Sequence, residues 1–374
     1  MTGERIAQIA NFVGPTSGGL RRAVDALGRG YTEAGFERIL IIPGPQDAIS
    51  ESESGWTLSI ASPAVTGGYR LCLSPRKVCQ ALDRFKPTSV EVSDKWTMTV
   101  AALWARRHGV GSVLFSHERL DDMASMFMRM DVSTPVHVLN RRLARWYDRV
   151  VTTSQYSAGE WEGVDADLRI VPLGVDLERF TPDSENLSPD ASVEATEGGR
   201  PLSLIYAGRL SREKSPHLAV ATAVELDRRG IDLRMEVYGT GPHLDEVAMI
   251  AEGAPVFFHG YLDGRDALAA SYRQADISLS VCPAETFGLA VLEALACGTP
   301  VVTSDQGGAR EIVDETCGDW GEPDPVFLAD AVERLWARLR TDRSGIRRAA
   351  RRRAEAYPWS TPIATMIDLH REFL

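Results

Sequence analysis

A chain of 374 residues is long enough for two domains of ordinary size, and 44% hydrophobic with 25% charged residues lets each bury a core. The formal net charge of −11 excludes nucleic acid as the main partner, because polyanions bind basic surfaces. Five cysteines without a C-x-x-C pair suit reduced thiols in the cytoplasm. No run approaches ~20 apolar residues, so nothing spans a bilayer, and the N-terminus enters a strand without a signal-peptide layout.

The first half opens with an apolar strand over residues 5–12. It leads into Gly14-Pro15-Thr16-Ser17-Gly18-Gly19 and a helix beginning near Leu20. Gly18 and Gly19 would let the backbone approach a ligand closely, although a tight turn explains them as well. The full G-x-G-x-x-G pattern is absent, so a dinucleotide such as NAD or FAD is not expected. A strand over residues 38–42 follows, and strand-like and helix-like segments then alternate to about Val151, as in a doubly wound sheet. Val113-Leu114-Phe115-Ser116-His117-Glu118 sets a histidine directly after a buried strand. A neutral imidazole there can hydrogen-bond a ligand hydroxyl or share a proton, or it can be structural. Met123, Met126, Phe127, Met128 and Met130, followed by Arg141, Arg142, Arg145 and Arg149, read either as a face for an anionic membrane or as core methionines with solvated arginines. Asp165-Ala166-Asp167 has the letters of a metal-binding D-x-D but lies in a turn before a strand, where it reads as polar loop.

Residues 181–200 are polar and read as a linker. The second alternation opens with a strand at residues 202–208, so Arg209 and Lys214 emerge at the edge where parallel sheets bind ligands. An Arg fork and a Lys point charge there can neutralise a departing diphosphate; an isolated Arg–Lys pair is also an ordinary solvated surface. Gly239-Thr240-Gly241 again lacks a third glycine, with Leu244 in its place. The run 276–281 reads as a buried strand, and a helix is expected from Phe287. Glu285 would then meet the free N–H groups of Phe287, Gly288 and Leu289 at a helix start, with Glu293 about two turns further on a similar face. By spacing alone the two acids fit equally a capped helix with a solvated acid. Gly298 and Pro300 end that helix, and residues 361–374 read as a final amphipathic helix.

The nine residues from Glu285 to Glu293 resemble the E-x7-E motif of the retaining GT-B glycosyltransferases of family 4. Residues 294–303, Gly307-Gly308-Ala309-Arg310-Glu311, the R-x4-K spacing of Arg209 and Lys214, and residues 171–180 resemble the same family. The resemblance implies an α/β GT-B fold: two Rossmann-like doubly wound domains facing a cleft, with a C-terminal helix crossing back to the first. Residues 1–178 with 358–374 would form the acceptor-side domain, and 200–357 the nucleotide-sugar domain. Gly18, Gly19, Arg209, Lys214, Gly241, Leu262, Glu285, Phe287, Gly288, Leu289 and Glu293 would bind the donor. Glu285 would contact the sugar, Glu293 the ribose, and His117 the sugar near the reacting carbon. Catalysis would fall to His117, Arg209, Lys214 and Glu285, without a metal, and acceptor binding to Asn11, Arg70 and His117. Residues 8–15, 17–21, 66–70, 90–94 and 116–121 narrow the resemblance to GDP-mannose-dependent mannosyltransferases of phosphatidylinositol mannoside assembly. A hexose, mannose from GDP-mannose, would then pass to a glycolipid at the inner face of the plasma membrane. A UDP-sugar with a soluble or other lipid acceptor, a nucleotide-sugar epimerase and a non-catalytic sugar-nucleotide binder are the alternatives.

Overall fold

The computed structural model describes residues 3–11, 13, 18–65, 69–122, 132–183 and 200–374. The chain divides into two compact units, one of Met1–Leu173 with Trp359–Leu374 and one of Gly174–Pro358. The division after Leu173 precedes the expected end of the first domain at residue 178 by a few residues.

The first unit is built on β1 (Arg5–Ile9), β2 (Glu37–Gly44), β3 (Ala48–Ser52), β4 (Gly55–Ala61), β5 (Ser89–Val92), β6 (Gly111–Ser116), β7 (Arg149–Thr152) and β8 (Leu168–Ile170). They lie in the order β3-β4-β2-β1-β5-β6-β7-β8. Every pairing is parallel except β3 with β4. Three consecutive strands, β2 to β4, therefore break the strict alternation expected from sequence. The fully exposed β3 closes the edge as an antiparallel hairpin, which needs only a short turn. The central strands are buried, as sheets covered on both faces require.

The last helix, Ser360–Arg371, belongs to this unit and packs on helix Gly19–Glu33. Gly30 makes room for it: a Cβ there would stand 2.4 Å from Ile363 Cγ2. His370 anchors the helix, with Nε2 3.2 Å from Glu91 Oε2 and Nδ1 2.8 Å from Ser89 Oγ. Glu91 is fully buried and also accepts from Gln8 Nε2 at 2.8 Å and the Tyr31 hydroxyl at 2.6 Å. A buried carboxylate persists only with such partners.

The second unit holds β9 (Leu202–Ala207), β10 (Leu233–Tyr238), β11 (Val256–Gly260), β12 (Ile277–Ser280), β13 (Val301–Ser304) and β14 (Gly318–Gly321). The order is β11-β10-β9-β12-β13-β14, and all pairings are parallel. Its core joins β9, β10 and β12 to helices Pro216–Arg228 and Pro325–Thr341. The loops that leave the C-terminal ends of β9 and β12 carry the motifs of interest, where α/β sheets place ligands.

Candidate active site

In the second unit, two loops zip together beyond β9 and β10. Gly208 N donates to Tyr238 O and Leu210 N to Thr240 O, each at 3.0 Å. The approach is close enough to demand glycine. Gly239 has φ +139°, and a Cβ on it would lie 1.9 Å from Gly208 O; one on Gly241 would lie 2.3 Å from Leu210 O. The G-x-G element thus braces the loop that carries Arg209 and Lys214. Tyr206, the next-to-last residue of β9, sets its hydroxyl 3.2 Å from the carbonyls of both Arg209 and Lys214. That hydroxyl spans the cationic loop, and burial raises its pKa well above the usual range. No spacing rule singles out Tyr206, which reads as an ordinary buried strand residue. Lys214 ends a 3-10 turn, Arg212–Lys214, and Ser215 after it takes the left-handed conformation at φ +47° before Pro216. A non-glycine residue there is strained and must be held by its surroundings.

Lys214 Nζ donates to Glu285 Oε2 at 2.7 Å. Burial works to lower the Lys214 pKa, but Glu285 and its neighbours outweigh it and raise the value, keeping the ammonium charged. Glu285 sits in the loop after β12. That loop is fixed by Gly308 N, which donates to Glu285 O at 2.6 Å, and by Gly307 at φ +86°, where a Cβ would meet Pro283 O at 2.7 Å. This contact explains the glycine at 307.

Two local expectations need correction. The helix begins at Leu289 rather than Phe287, because Gly288 is left-handed at φ +104° and Phe287 is buried against Tyr357. For Glu293 it is the alternative of a solvated helix acid that falls: the residue is 2% exposed, and Arg265 Nη2 stands 3.7 Å from its Oε1. The other arm of Arg265 reaches Asp176 Oδ2 at 3.5 Å. The segment after Leu173 therefore ties into the Glu293 environment through a single guanidinium. Leu262 follows β11 and is half-buried.

In the first unit, His117 leaves the end of β6 with its ring stacked on Phe115 at 4.2 Å. Burial pushes its pKa down to about 4, so the imidazole is neutral at physiological pH. Gly18 precedes the first turn of helix Gly19–Glu33, with nothing within 4 Å of where its Cβ would be, while residues 14–17 lie outside the described residues. Arg70 donates through Nη1 to Ser62 O at 2.6 Å, and residues 66–68 likewise lie outside the described residues.

Asn11 is fully buried and bonded within the first unit. Its Nδ2 donates to Asp94 Oδ2 at 3.2 Å and Thr97 Oγ1 at 3.0 Å, and its Oδ1 accepts from Cys72 N at 3.0 Å. Both amide hydrogens are used, which leaves no donor for a ligand. Burial raises its partner Asp94 to about 6. Arg149 also departs from the membrane-face reading. It pairs with Asp167 at 3.0 Å and Glu372 at 3.2 Å, close to where the last helix ends. Asp167 pairs with Arg169 as well, at 3.2 Å. Arg141, Arg142 and Arg145 are exposed, and Arg142 lies over the Trp146 ring. The methionine cluster falls in 123–131, outside the described residues. Among the described residues, no three His, Cys, Asp or Glu side chains converge as a metal site, and no helix is long and apolar enough to cross a membrane.

Two parallel-sheet Rossmann-like domains, with a lysine–glutamate pair at the sheet edge of the second, define a GT-B glycosyltransferase. Residues 17–179 match the family described as Glycosyltransferase Family 4, and residues 201–338 match Glycosyl transferases group 1. The chain is 38% identical over 369 residues to a GDP-mannose-dependent alpha-(1-6)-phosphatidylinositol dimannoside mannosyltransferase of Mycobacterium tuberculosis, covering 97% of this chain and 95% of that one. It is 29% identical to the sulfoquinovosyl transferase SQD2 of Arabidopsis thaliana, over 77% of this chain and 57% of the relative. Among solved structures, sucrose-phosphate synthase from Thermosynechococcus elongatus superposes with a TM-score of 0.78 at 20% identity, covering 99% of this chain and 98% of that one. The chain belongs to glycosyltransferase family 4.

Proposed function

We propose that the protein is a retaining, metal-independent mannosyltransferase that moves mannose from GDP-mannose to a phosphatidylinositol mannoside. The 38% identity to the mycobacterial mannosyltransferase, over 97% of this chain, carries this reading. The second unit holds the donor. Lys214 exchanges its Glu285 partner for the diphosphate and, with Arg209, stabilises the charge that builds as the anomeric carbon–oxygen bond breaks. Glu285, released, accepts from hydroxyls of the mannose, and Glu293 holds the ribose. The acceptor hydroxyl attacks the face the diphosphate leaves, and its proton passes to the departing phosphate oxygen. His117, neutral, donates to or accepts from the transferred sugar, and Arg70 grips the acceptor's phosphate.

A thermal-shift panel of GDP- and UDP-sugars tests the donor, since a ligand that binds the native state raises its stability. GDP-mannose should give the largest shift; a larger shift with a UDP-sugar would replace it as donor. Activity should persist in excess EDTA. Loss restored by Mg²⁺ would introduce a metal. Peripheral attachment to anionic lipid, through exposed Arg141, Arg142 and Arg145, should appear as vesicle co-sedimentation that weakens with salt. Salt-insensitive absence from vesicles, with transfer to a soluble acceptor, would remove the lipid.

A further inference from the structure

The turn that leaves β6 immediately after His117 is held by an ion pair that plays no part in the chemistry above. Lys95 follows β5 and Glu160 lies in the 3-10 turn Gly159–Trp161 after β7. Strands β5 and β7 flank β6 on either side, so each neighbour supplies one half of the pair. The Lys95 and Glu160 side chains are 3% and 1% exposed, and Lys95 Nζ contacts Glu160 Oε2. Burying two charges is costly, and replacement by apolar residues is often no worse for stability. The remaining contacts of the pair therefore matter more than the pair itself.

Those contacts converge on one turn. Lys95 Nζ donates to Glu118 O at 3.2 Å, and Glu160 Oε1 accepts from Leu120 N at 2.9 Å. Ser116 Oγ also donates to Glu118 O, at 3.2 Å. The carbonyl and the amide on the two sides of Arg119 are thus clamped by opposite charges, one residue beyond His117. Both ends of the clamp are themselves fixed. Lys95 lies over the Trp161 ring at 5.1 Å, and Asn140 Nδ2 donates to Glu160 O at 3.2 Å. Leu120 is buried with Val132 and Val136, which holds the far side of the turn.

We propose that Lys95 and Glu160 are positioning residues for sugar transfer, fixing the 118–120 turn so that His117 is presented to the transferred sugar. This rests on the reading of His117 given above.

The test is a double-mutant cycle between the pair and His117. Lys95→Met with Glu160→Leu removes both charges without stranding either. Circular dichroism should report a native fold, and GDP affinity, set in the other unit, should be unchanged. The kcat for transfer should fall about tenfold to a hundredfold, as a misplaced site group commonly causes. In the His117→Ala background the same pair should add little further loss, because the group it positions is gone. A folded pair variant with wild-type kcat, or losses that simply add to those of His117→Ala, would overturn the positioning role while leaving His117 in the reaction. His117→Ala with wild-type kcat would remove His117 from the reaction and the proposal with it. Should the double variant not fold, Glu160→Gln, which keeps an acceptor for Leu120 N–H, and Glu160→Met, which removes it, are read in the same cycle: a kcat loss coupled to His117 that is larger for Met than for Gln supports the clamp, and wild-type kcat in the folded Met variant overturns it.

Discussion

The two loops that carry the candidate chemistry are anchored by opposite means. Beyond β6, a neutral histidine sits on a turn clamped by a buried ion pair. Beyond β9, two cations sit on a loop braced by an uncharged tyrosine hydroxyl and two glycines. The physical reason is charge economy. A loop already bearing Arg209 and Lys214 gains nothing from a further buried cation beneath it, since like charges repel. Among the described residues, the acid paired with Lys214 is Glu285, with side-chain exposures of 41% for the lysine and 15% for the acid. A neutral imidazole carries no such conflict, so strong charges can fix its turn from below.

The sharpest way to break this comparison lies on the cationic side. Lys214→Ala or Arg209→Ala should lower turnover by about 10²–10³-fold with the fold intact, as loss of one charge-stabilising group does. Unchanged turnover in a protein folded by circular dichroism would take the loop out of catalysis. Gly239→Ala should come next. A Cβ 1.9 Å from Gly208 O, at φ +139°, forces the two loops apart and should cost about 2–4 kcal/mol in denaturant unfolding. A stability within 0.5 kcal/mol of wild type (a surface-like effect) would mean the loops are not braced.

The histidine side is sharpened by pH. The folded value near 4 lies below the ordinary 6.5, so the unfolded chain binds the extra proton first. The stability tied to a neutral His117 is then complete above pH 6.5 and lost as pH falls toward 4, by about 3 kcal/mol in all. Asp94, raised to about 6, slopes the opposite way in the same window, so the informative quantity is wild type minus His117→Phe at each pH. That difference should shift in favour of the variant on acidification; a pH-independent difference would place the imidazole in contact with water. The smallest effect should come from Tyr206→Phe. It removes the hydroxyl shared between the Arg209 and Lys214 carbonyls, costs about 1 kcal/mol and lowers turnover less than the Lys214 change. A loss as large as that of Lys214→Ala would show that the hydroxyl does more than brace the loop.

Much of this protein is local in the sequence. The largely apolar run over residues 202–208 and the alternation Ile277-Ser278-Leu279-Ser280-Val281 mark β9 and β12. The Glu285–Glu293 spacing and the Arg209–Lys214 interval are likewise visible, since each motif lies within one strand-to-helix connection. What needed the fold is everything that joins distant segments. The hairpin of β3 and β4 was hidden because its exposed edge has no apolar period to read. Spacing left Glu293 open between a ligand contact and a solvated helix acid, and only the fold shows it buried beside Arg265; only the fold shows Asn11 bonded to Asp94, Thr97 and Cys72. Tyr206, Lys95 and Glu160 carry no motif at all. Their roles arise from backbone carbonyls and amides brought beside them by neighbouring strands, and hydrogen bonds to backbone leave no trace in side-chain spacing. The sequence alone therefore determined the two alternations and the residues positioned for chemistry; the tertiary structure decided which charges are buried, which are paired, and what holds each loop in place.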